Sequence, residues 1–250
     1  KTTTSVNLAA SLGLMNREVL LIDLDPQGNA TMGSGMEKKE LPHSIYDVLI
    51  GEKSAEESLV KAEAAGYDVL GANSDLIGAE IELLDLDRRE YRLKDALLGF
   101  GGKYDFIVLD CPPALGVLTL NGLVASDSVI IPMQCEYYAL EGLTALLDTI
   151  DRISSSLNPK LKVEGLLRTM YDPRNSLSRD VSLHLIDHFG DAVYRTIVPK
   201  NVRLAEAPSY GVPVHFYDKY SRGSKAYLAL AGEVLNRHPE AAHKGGENGD

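Results

Sequence analysis

Short, wholly apolar runs that end in a polar or turn-forming residue recur along this chain, and they constrain its fold more than any other feature. Residues 18–23 and 103–110 each lead through four consecutive apolar residues into an aspartate. Residues 128–132 and 162–169 repeat the apolar run. Unbroken runs of this length are typical of strands buried on both faces, as in a parallel sheet. We therefore expect four strands of one parallel sheet.

Helical patterns separate these strands. Apolar residues recur at helical spacing over 2–15, 116–125, 138–157, 176–189 and 224–237. Alternation of strand and helix predicts an α/β fold with a doubly wound, mostly parallel sheet and helices on both faces.

The segment 31–100 is less regular. We expect helices at 44–50, 55–64 and 76–98 and a strand at 67–71, as an elaboration on one edge of the sheet. Residues 1–237 are predicted to form one domain, and 238–250 a disordered polar tail, because that tail holds no core residues. The two cysteines, Cys111 and Cys135, lack a CxxC or His-rich neighbour, which favours a reducing cytosol over a disulfide or zinc site.

Three aspartates follow the predicted strands. Asp23 ends one strand, Asp25 comes two residues later before a proline, and Asp110 ends another. Because ligands of open α/β sheets bind outside the carboxyl ends of the strands, we expect these carboxylates to converge there. Mg²⁺ bridging phosphates is the usual cation in such a place. The alternative for any one of them is a turn-capping aspartate.

The first residues, Lys-Thr-Thr-Thr at the start of a helix, match the end of the phosphate-binding motif G-x-x-x-x-G-K-[ST]. In that motif the lysine ammonium reaches the β- and γ-phosphates, and the first hydroxyl ligates Mg²⁺. Lys1 and Thr2 stand in those positions, although threonine near a helix start is also an ordinary N-cap. We expect the glycines of the loop and the first strand to precede Lys1.

The net charge of −11 disfavours a nucleic-acid partner when taken over the whole chain. Residues 1–159, however, hold 12 Lys and Arg against 25 Asp and Glu, whereas residues 160–237 hold 12 against 8. The last third can therefore carry a basic patch. Its candidate basic residues include Arg168, Arg174, Arg179, Lys200, Arg203, Lys219, Arg222 and Lys225.

The motifs KTTTSVNLAASL, VLLIDLDPQGNAT, YDFIVLDCPP, IIPMQCEYYALEGL and PKNVRLAEAPSYG occur in this order. Together they resemble the ParA family of partition ATPases, in the deviant-Walker group of P-loop NTPases that also contains MinD, from residue 1 to about 237. The resemblance implies ATP and Mg²⁺. It makes Lys1 the Walker A lysine, Thr2 a metal ligand and Thr3 a further phosphate contact. Asp25 would orient the attacking water, and Asp110 would be the Walker B carboxylate that holds the metal.

The resemblance also implies a mode of action. An ATP-dependent homodimer would bind double-stranded DNA without sequence preference, and a ParB-type centromere-binding partner would stimulate its weak ATPase activity. Arg174 and Arg203 match DNA-contact positions, and Lys200 stands where family members commonly have arginine. A signature lysine, which reaches the partner protomer's phosphates, lies upstream of Lys1 in the family. Such a protein would be cytoplasmic and nucleoid-associated.

Rival interpretations remain. A MinD-like, membrane-associated cell-division regulator needs a basic amphipathic C-terminal helix, which 238–250 does not encode. An iron-protein reductase needs a cysteine at an exposed dimer surface, whereas Cys111 follows Asp110 and is expected to be a small buried side chain. A chain that begins at Lys1 could also be inactive. We expect Tyr137, Tyr138 and the tyrosines of 210–220 to serve packing or an interface, not base stacking, and the histidines show no ligand spacing.

Overall fold

A computed structural model of the chain describes residues 1–136 and 139–239, without the side chains of residues 139–141. The expectations for Tyr137, Tyr138 and most of the 238–250 tail lie outside the described residues. In chain order the first elements are α1 (Thr2–Gly13), β1 (Val19–Asp23), α2 (Asn29–Gly33), α3 (Ile45–Ile50), β2 (Leu59–Ala62), β3 (Tyr67–Leu70), α4 (Leu76–Glu82), α5 (Arg92–Leu97) and β4 (Phe106–Asp110).

The remaining elements complete the alternation of strand and helix. They are α6 (Val117–Ala125), β5 (Ser128–Gln134), α7 (Ala139–Ser156), β6 (Lys162–Tyr171), α8 (Ser176–Phe189), β7 (Val193–Pro199), α9 (Val202–Glu206), α10 (Val214–Tyr217) and α11 (Arg222–Arg237). Short 3₁₀ turns lie at Glu56–Ser58, Leu83–Asp85, Leu98–Phe100, Gly190–Ala192 and Ala207–Tyr210.

The strands form two hydrogen-bonded groups, in the orders β2-β3-β1-β4 and β5-β6-β7. All pairs are parallel except β2 with β3. Helices cover both faces, so the predicted α/β fold with a mostly parallel sheet is confirmed. One continuous sheet is not seen in the described residues, since β4 pairs with β1 alone and β5 with β6 alone.

Strand β1 shows why an unbroken apolar run suits this fold. Its alternate side chains enter opposite cores: Val19 and Leu21 pack with α1 and α11, and Leu20 and Ile22 pack with the helices from α3 to α6. Every residue of the strand is buried, as predicted. Strand β4 has the same kind of sequence but is half-buried over much of its length, because one of its edges is unpaired in the described structure.

Two predictions for the region 31–100 are wrong. The helix expected at 55–64 is a 3₁₀ turn followed by β2, which pairs antiparallel with β3 in the register Leu59↔Leu70 to Ala62↔Tyr67. Cross-strand pairing has overridden the helical propensity of this glutamate-rich segment. The helix expected at 76–98 is divided into α4, a 3₁₀ turn and α5. Strand β7 and helices α2, α9 and α10 were not predicted.

Across the described part of the chain, no helix combines the length and the apolar composition needed to cross a bilayer.

Candidate functional site

The carboxyl ends of β1 and β4 place two buried aspartates side by side. Asp23 and Asp110 are register partners across the parallel pair, and both are almost fully buried. The pKa of Asp23 is raised to about 6, mainly by burial and in part by the nearby Asp110 charge, against the hydrogen bonds from Thr31 and Asp25, which lower it. Burial also raises the pKa of Asp110, and the negative charge of Asp25 raises it as well. The predicted convergence of the three carboxylates at one edge is therefore present.

The first turn of α1 lies against Asp110. The Ser5 hydroxyl donates to Asp110 Oδ1 at 2.9 Å. The Thr2 hydroxyl is close enough to lower the pKa of Asp110, against the effect of burial. The other oxygen, Oδ2, is buried and has no hydrogen-bond partner among the described residues. A buried carboxylate oxygen without a donor is costly, so this oxygen has the chemistry of a cation ligand.

Lys1 lies at the N-terminus of the same helix. It is exposed and occupies the N-cap position, where no described side chain caps the helix. Its carbonyl accepts from the amides of Thr4 and Ser5 at 2.7 and 3.0 Å. A helix start with a flanking ammonium group favours a bound anion such as a phosphate.

The three aspartates have different surroundings. One oxygen of Asp23 accepts from the amide of Asp25 in the loop after β1, and the other accepts from the amide of Thr31 in α2. Asp25 is half-buried, and its Oδ1 accepts from the amide of Gln27 at 2.9 Å. No cluster of three or more metal-ligating side chains is found in the described residues. The expectation that a cation sits among all three carboxylates is therefore not supported for Asp23.

A cavity of about 300 Å³ opens next to the first turn of α1. This volume is at the lower end of ordinary small-molecule sites. Sequence reasoning missed the site because its walls come from distant parts of the chain. The lining residues are Thr2, Thr3, Val6, Asn7, Asn29, Met32, Gly33, Ala207, Pro208 and Val212.

Asn7 joins these walls together. Its Nδ2 donates to Thr3 O at 2.7 Å, and its Oδ1 accepts from the amide of Val214 at 2.7 Å. A buried asparagine between two apolar residues was the available signal, because such a side chain needs backbone partners. The cavity thus adjoins both the helix start and the segment after β7.

The predicted DNA-contact residues divide into two places. Arg174 follows β6, and its side chain is 88% exposed. Its guanidinium forms a bidentate ion pair with Asp172. Nε donates to Oδ1 at 3.0 Å, and Nη2 donates to Oδ2 at 2.9 Å. This contact is the main cause that lowers the pKa of Asp172 to about 2, and the charge of Lys200 contributes. Arg174 and Lys200 therefore lie near each other, at the ends of β6 and β7.

Arg203, in α9, is exposed and also paired. Its guanidinium donates to Glu206 at 2.8 Å and lies 3.4 Å from Asp218 Oδ2. It also stands over the ring of Tyr217, with 5.9 Å to the centroid. A DNA phosphate at this position would have to compete with these carboxylates.

One expectation for this region needs correction. Arg168 does not belong to a surface patch, since it is only 6% exposed and donates to Ser182 Oγ and Tyr194 O. It sits on a strand face that α8 covers. Among the tyrosines of 210–220, Tyr210 and Tyr220 are 67% and 74% exposed, so for these two the expected interface role stays a prediction. Cys111 packs against the core under α6, and burial raises the pKa of its thiol to about 12.

The chain is similar to several known proteins. A family model described as an AAA domain matches residues 1–163. The chain is 49% identical over 246 residues to the chromosome partitioning protein ParA of Caulobacter vibrioides, covering 98% of this chain and 92% of that protein. It is 50% identical over 234 residues to the sporulation initiation inhibitor protein Soj of Bacillus subtilis, covering 94% and 92%.

A solved structure shows the same fold. The crystal structure named cobyrinic acid a,c-diamide synthase from Mycobacterium smegmatis, with bound ATP analog and magnesium, matches with a TM-score of 0.83. The two chains are 40% identical, and the match covers 97% of this chain and 91% of that one.

Proposed function

Because this chain belongs to the ParA family of partition ATPases, in the ParA/MinD superfamily, we propose that it is an ATP-driven switch that holds DNA while ATP is bound and releases it after hydrolysis. The proposal rests mainly on one observation at the carboxyl end of β4. The buried Asp110 has an unpartnered oxygen beside the hydroxyl of Thr2, at a helix start that bears Lys1. These are the groups that a Mg²⁺-bound nucleotide needs.

The residues at this edge fit a magnesium ion. Asp110 supplies a carboxylate oxygen and Thr2 a hydroxyl, both of which are hard oxygen ligands. Mg²⁺ held there would neutralise negative charge on the phosphates of ATP. The Ser5 hydroxyl donates a hydrogen bond to the other Asp110 oxygen, Oδ1, and this bond fixes the orientation of the carboxylate.

The protein's own groups would position the reaction. The Lys1 ammonium and the amides at the start of α1, with Thr3 as a further contact, bind phosphate oxygens. Asp25, half-buried and close enough to raise the pKa of Asp110, orients the attacking water. The adjoining cavity, lined by Thr2, Thr3 and Pro208 among others, takes the nucleoside.

DNA would be held by the basic last third of the chain. Arg174 and Lys200 lie together at one end of the β5-β6-β7 sheet, and Arg203 follows shortly after β7. Exposed arginines and lysines bind phosphates without reading base sequence, so binding would be nonspecific and salt-dependent. We propose that ATP-bound homodimers present this surface at the nucleoid, and that a ParB-type partner stimulates a weak intrinsic ATPase.

The test is the replacement Asp25→Ala. ATP binding, measured by calorimetry in the presence of Mg²⁺, should be preserved, because Lys1, Thr2 and Asp110 are untouched. Turnover should fall by about a hundredfold or more. The matched control is Asp105→Ala, which removes a half-buried aspartate that accepts one backbone amide, from Glu18, at the opposite end of β4. Normal turnover in Asp25→Ala would show that the assignment is wrong.

A further inference from the structure

Asp23 is a buried carboxylate whose hydrogen bonds come from the loop after β1 and from the first turn of α2, which follows that loop. Its Oδ1 accepts from the amide of Asp25 at 3.1 Å. Its Oδ2 accepts from the amide and from the hydroxyl of Thr31, each at 2.9 Å. The side chain is fully buried, and no described cation forms an ion pair with it. Its charge is therefore compensated by donors of the segment that carries Asp25.

Thr31 connects this carboxylate to the neighbouring strand. Its hydroxyl donates to Asp23 and accepts from the amide of Ala72 at 2.9 Å. Ala72 follows β3, which is the register partner of β1. Both Thr31 and Ala72 are fully buried, so no water competes for these bonds. The hydroxyl thus ties the end of β3 to the carboxylate at the end of β1.

Gly28 brings the loop into close contact with the same strand end. It adopts a left-handed conformation with φ of +63°, and a Cβ there would lie 2.8 Å from Ala72 O. Only glycine allows the backbone to approach so closely in this conformation. The loop between β1 and α2 is therefore held on its inner side, whereas the Asp25 side chain remains half-exposed on its outer side.

We propose that Asp23 and Thr31 are positioning residues, which hold the loop so that the Asp25 carboxylate stays in place for the hydrolytic step. The inference rests on the proposed function, since it assumes that Asp25 orients water. A displacement of about 1 Å at a group of this kind can cost up to about a hundredfold in rate. A buried carboxylate that binds the loop at Asp25 and the first turn of α2 at Thr31, whose hydroxyl also binds the Ala72 amide, is suited to prevent such a displacement.

The test uses the smallest change that removes the connection. Thr31→Val keeps the shape of the side chain and the hydrogen bond from the backbone amide of residue 31 to Asp23, but it removes the hydroxyl. Thr31→Ser restores the hydroxyl. Ser34→Ala is the matched control, because Ser34 is a buried hydroxyl at the other end of α2, bonded to Ala30 O and to the Tyr67 hydroxyl.

Two readouts separate a positioning role from a merely structural one. In the nucleotide-free protein, amide hydrogen exchange at Asp25 and Ala72 should accelerate by about tenfold or more in Thr31→Val. In the ATPase assay, kcat should fall by about tenfold while KM for ATP stays within about twofold. Thr31→Ser should restore both values, and Ser34→Ala should change neither.

The outcomes distinguish the two proposals. If Asp25→Ala turns over ATP normally, the proposed function fails, whatever Thr31→Val does. If Asp25→Ala is inactive but Thr31→Val has the wild-type kcat, or if Ser34→Ala lowers kcat equally, the positioning role is overturned. If Thr31→Val does not fold, Asp23→Asn is tested with the same readouts. Its side-chain amide places an N–H donor where the Asp23 carboxylate accepts from Asp25 or Thr31, so one of these hydrogen bonds is lost. Unchanged exchange at Asp25 and Ala72 in that variant also overturns the inference.

Discussion

Replacing Arg174 by alanine should weaken the binding of duplex DNA and make it less dependent on salt. Each phosphate contact contributes about −0.9 to the slope of log K against log salt concentration for B-DNA. The exposed guanidinium of Arg174 can make one such contact per protomer, so Arg174→Ala should reduce the magnitude of the slope by about 0.9 for each protomer bound.

The ion pair with Asp172 changes the expected loss of affinity. In the native protein Arg174 forms an ion pair with this carboxylate, and in its alanine variant only the charge of Lys200 remains nearby. A carboxylate without its arginine repels a DNA phosphate, although water and salt keep this effect small. The double variant Asp172→Asn with Arg174→Ala should therefore bind up to about threefold more tightly than Arg174→Ala alone, at equal slope.

Fluorescence anisotropy of a random-sequence duplex, titrated from about 50 to 200 mM salt, measures both quantities. Arg88→Ala is the control, because Arg88 is an exposed arginine that also pairs with an aspartate, Asp95, but lies outside the basic last third of the chain. An unchanged slope in Arg174→Ala, or an equal reduction in Arg88→Ala, would refute the placement of the DNA surface.

Two further predictions concern buried charges. Burial raises the pKa of Asp23 from 3.8 to about 6, so its stabilising contribution is complete below about pH 3.8 and is lost as the pH rises through about 6. In urea denaturation of the nucleotide-free protein, ionisation of Asp23 should lower the free energy of unfolding by up to about 3 kcal/mol between pH 4 and 7. Asp23→Asn should abolish that part of the pH dependence. Arg168→Met removes the buried donors to Ser182 and Tyr194 O and should cost about 2–4 kcal/mol in urea denaturation, with no effect on the DNA salt slope. A changed slope in Arg168→Met would contradict its assignment to the interior.

The site's carboxylates could be predicted from the sequence because they follow a rule of parallel sheets. Two apolar runs that end in aspartate indicate two strands, and neighbouring parallel strands end at one edge, as Asp23 and Asp110 do. Which carboxylate oxygens of Asp23 and Asp110 accept hydrogen bonds depends on Ser5 and Thr31. No periodic pattern in the sequence connects these two residues to the strand ends.

Other features depended on contacts that the local sequence does not encode. Strand β2 is made by pairing with β3, against a local preference for helix. The cavity combines the first turn of α1 with Ala207 and Pro208, some two hundred residues away. The ion pair of Arg203 with Glu206 has i, i+3 spacing, but it could not be predicted because helix α9 was not predicted.

The central claim is that the nucleotide bound at the Lys1 and Asp110 edge controls whether DNA is held. The most direct measurement compares the affinity for a random-sequence duplex with ATP and Mg²⁺ against that with ADP and Mg²⁺, in the native protein and in Asp25→Ala. We expect at least about tenfold tighter binding with ATP, and a complex with Asp25→Ala that persists after the native complex has dissociated. Equal affinity with ATP and ADP would contradict the account.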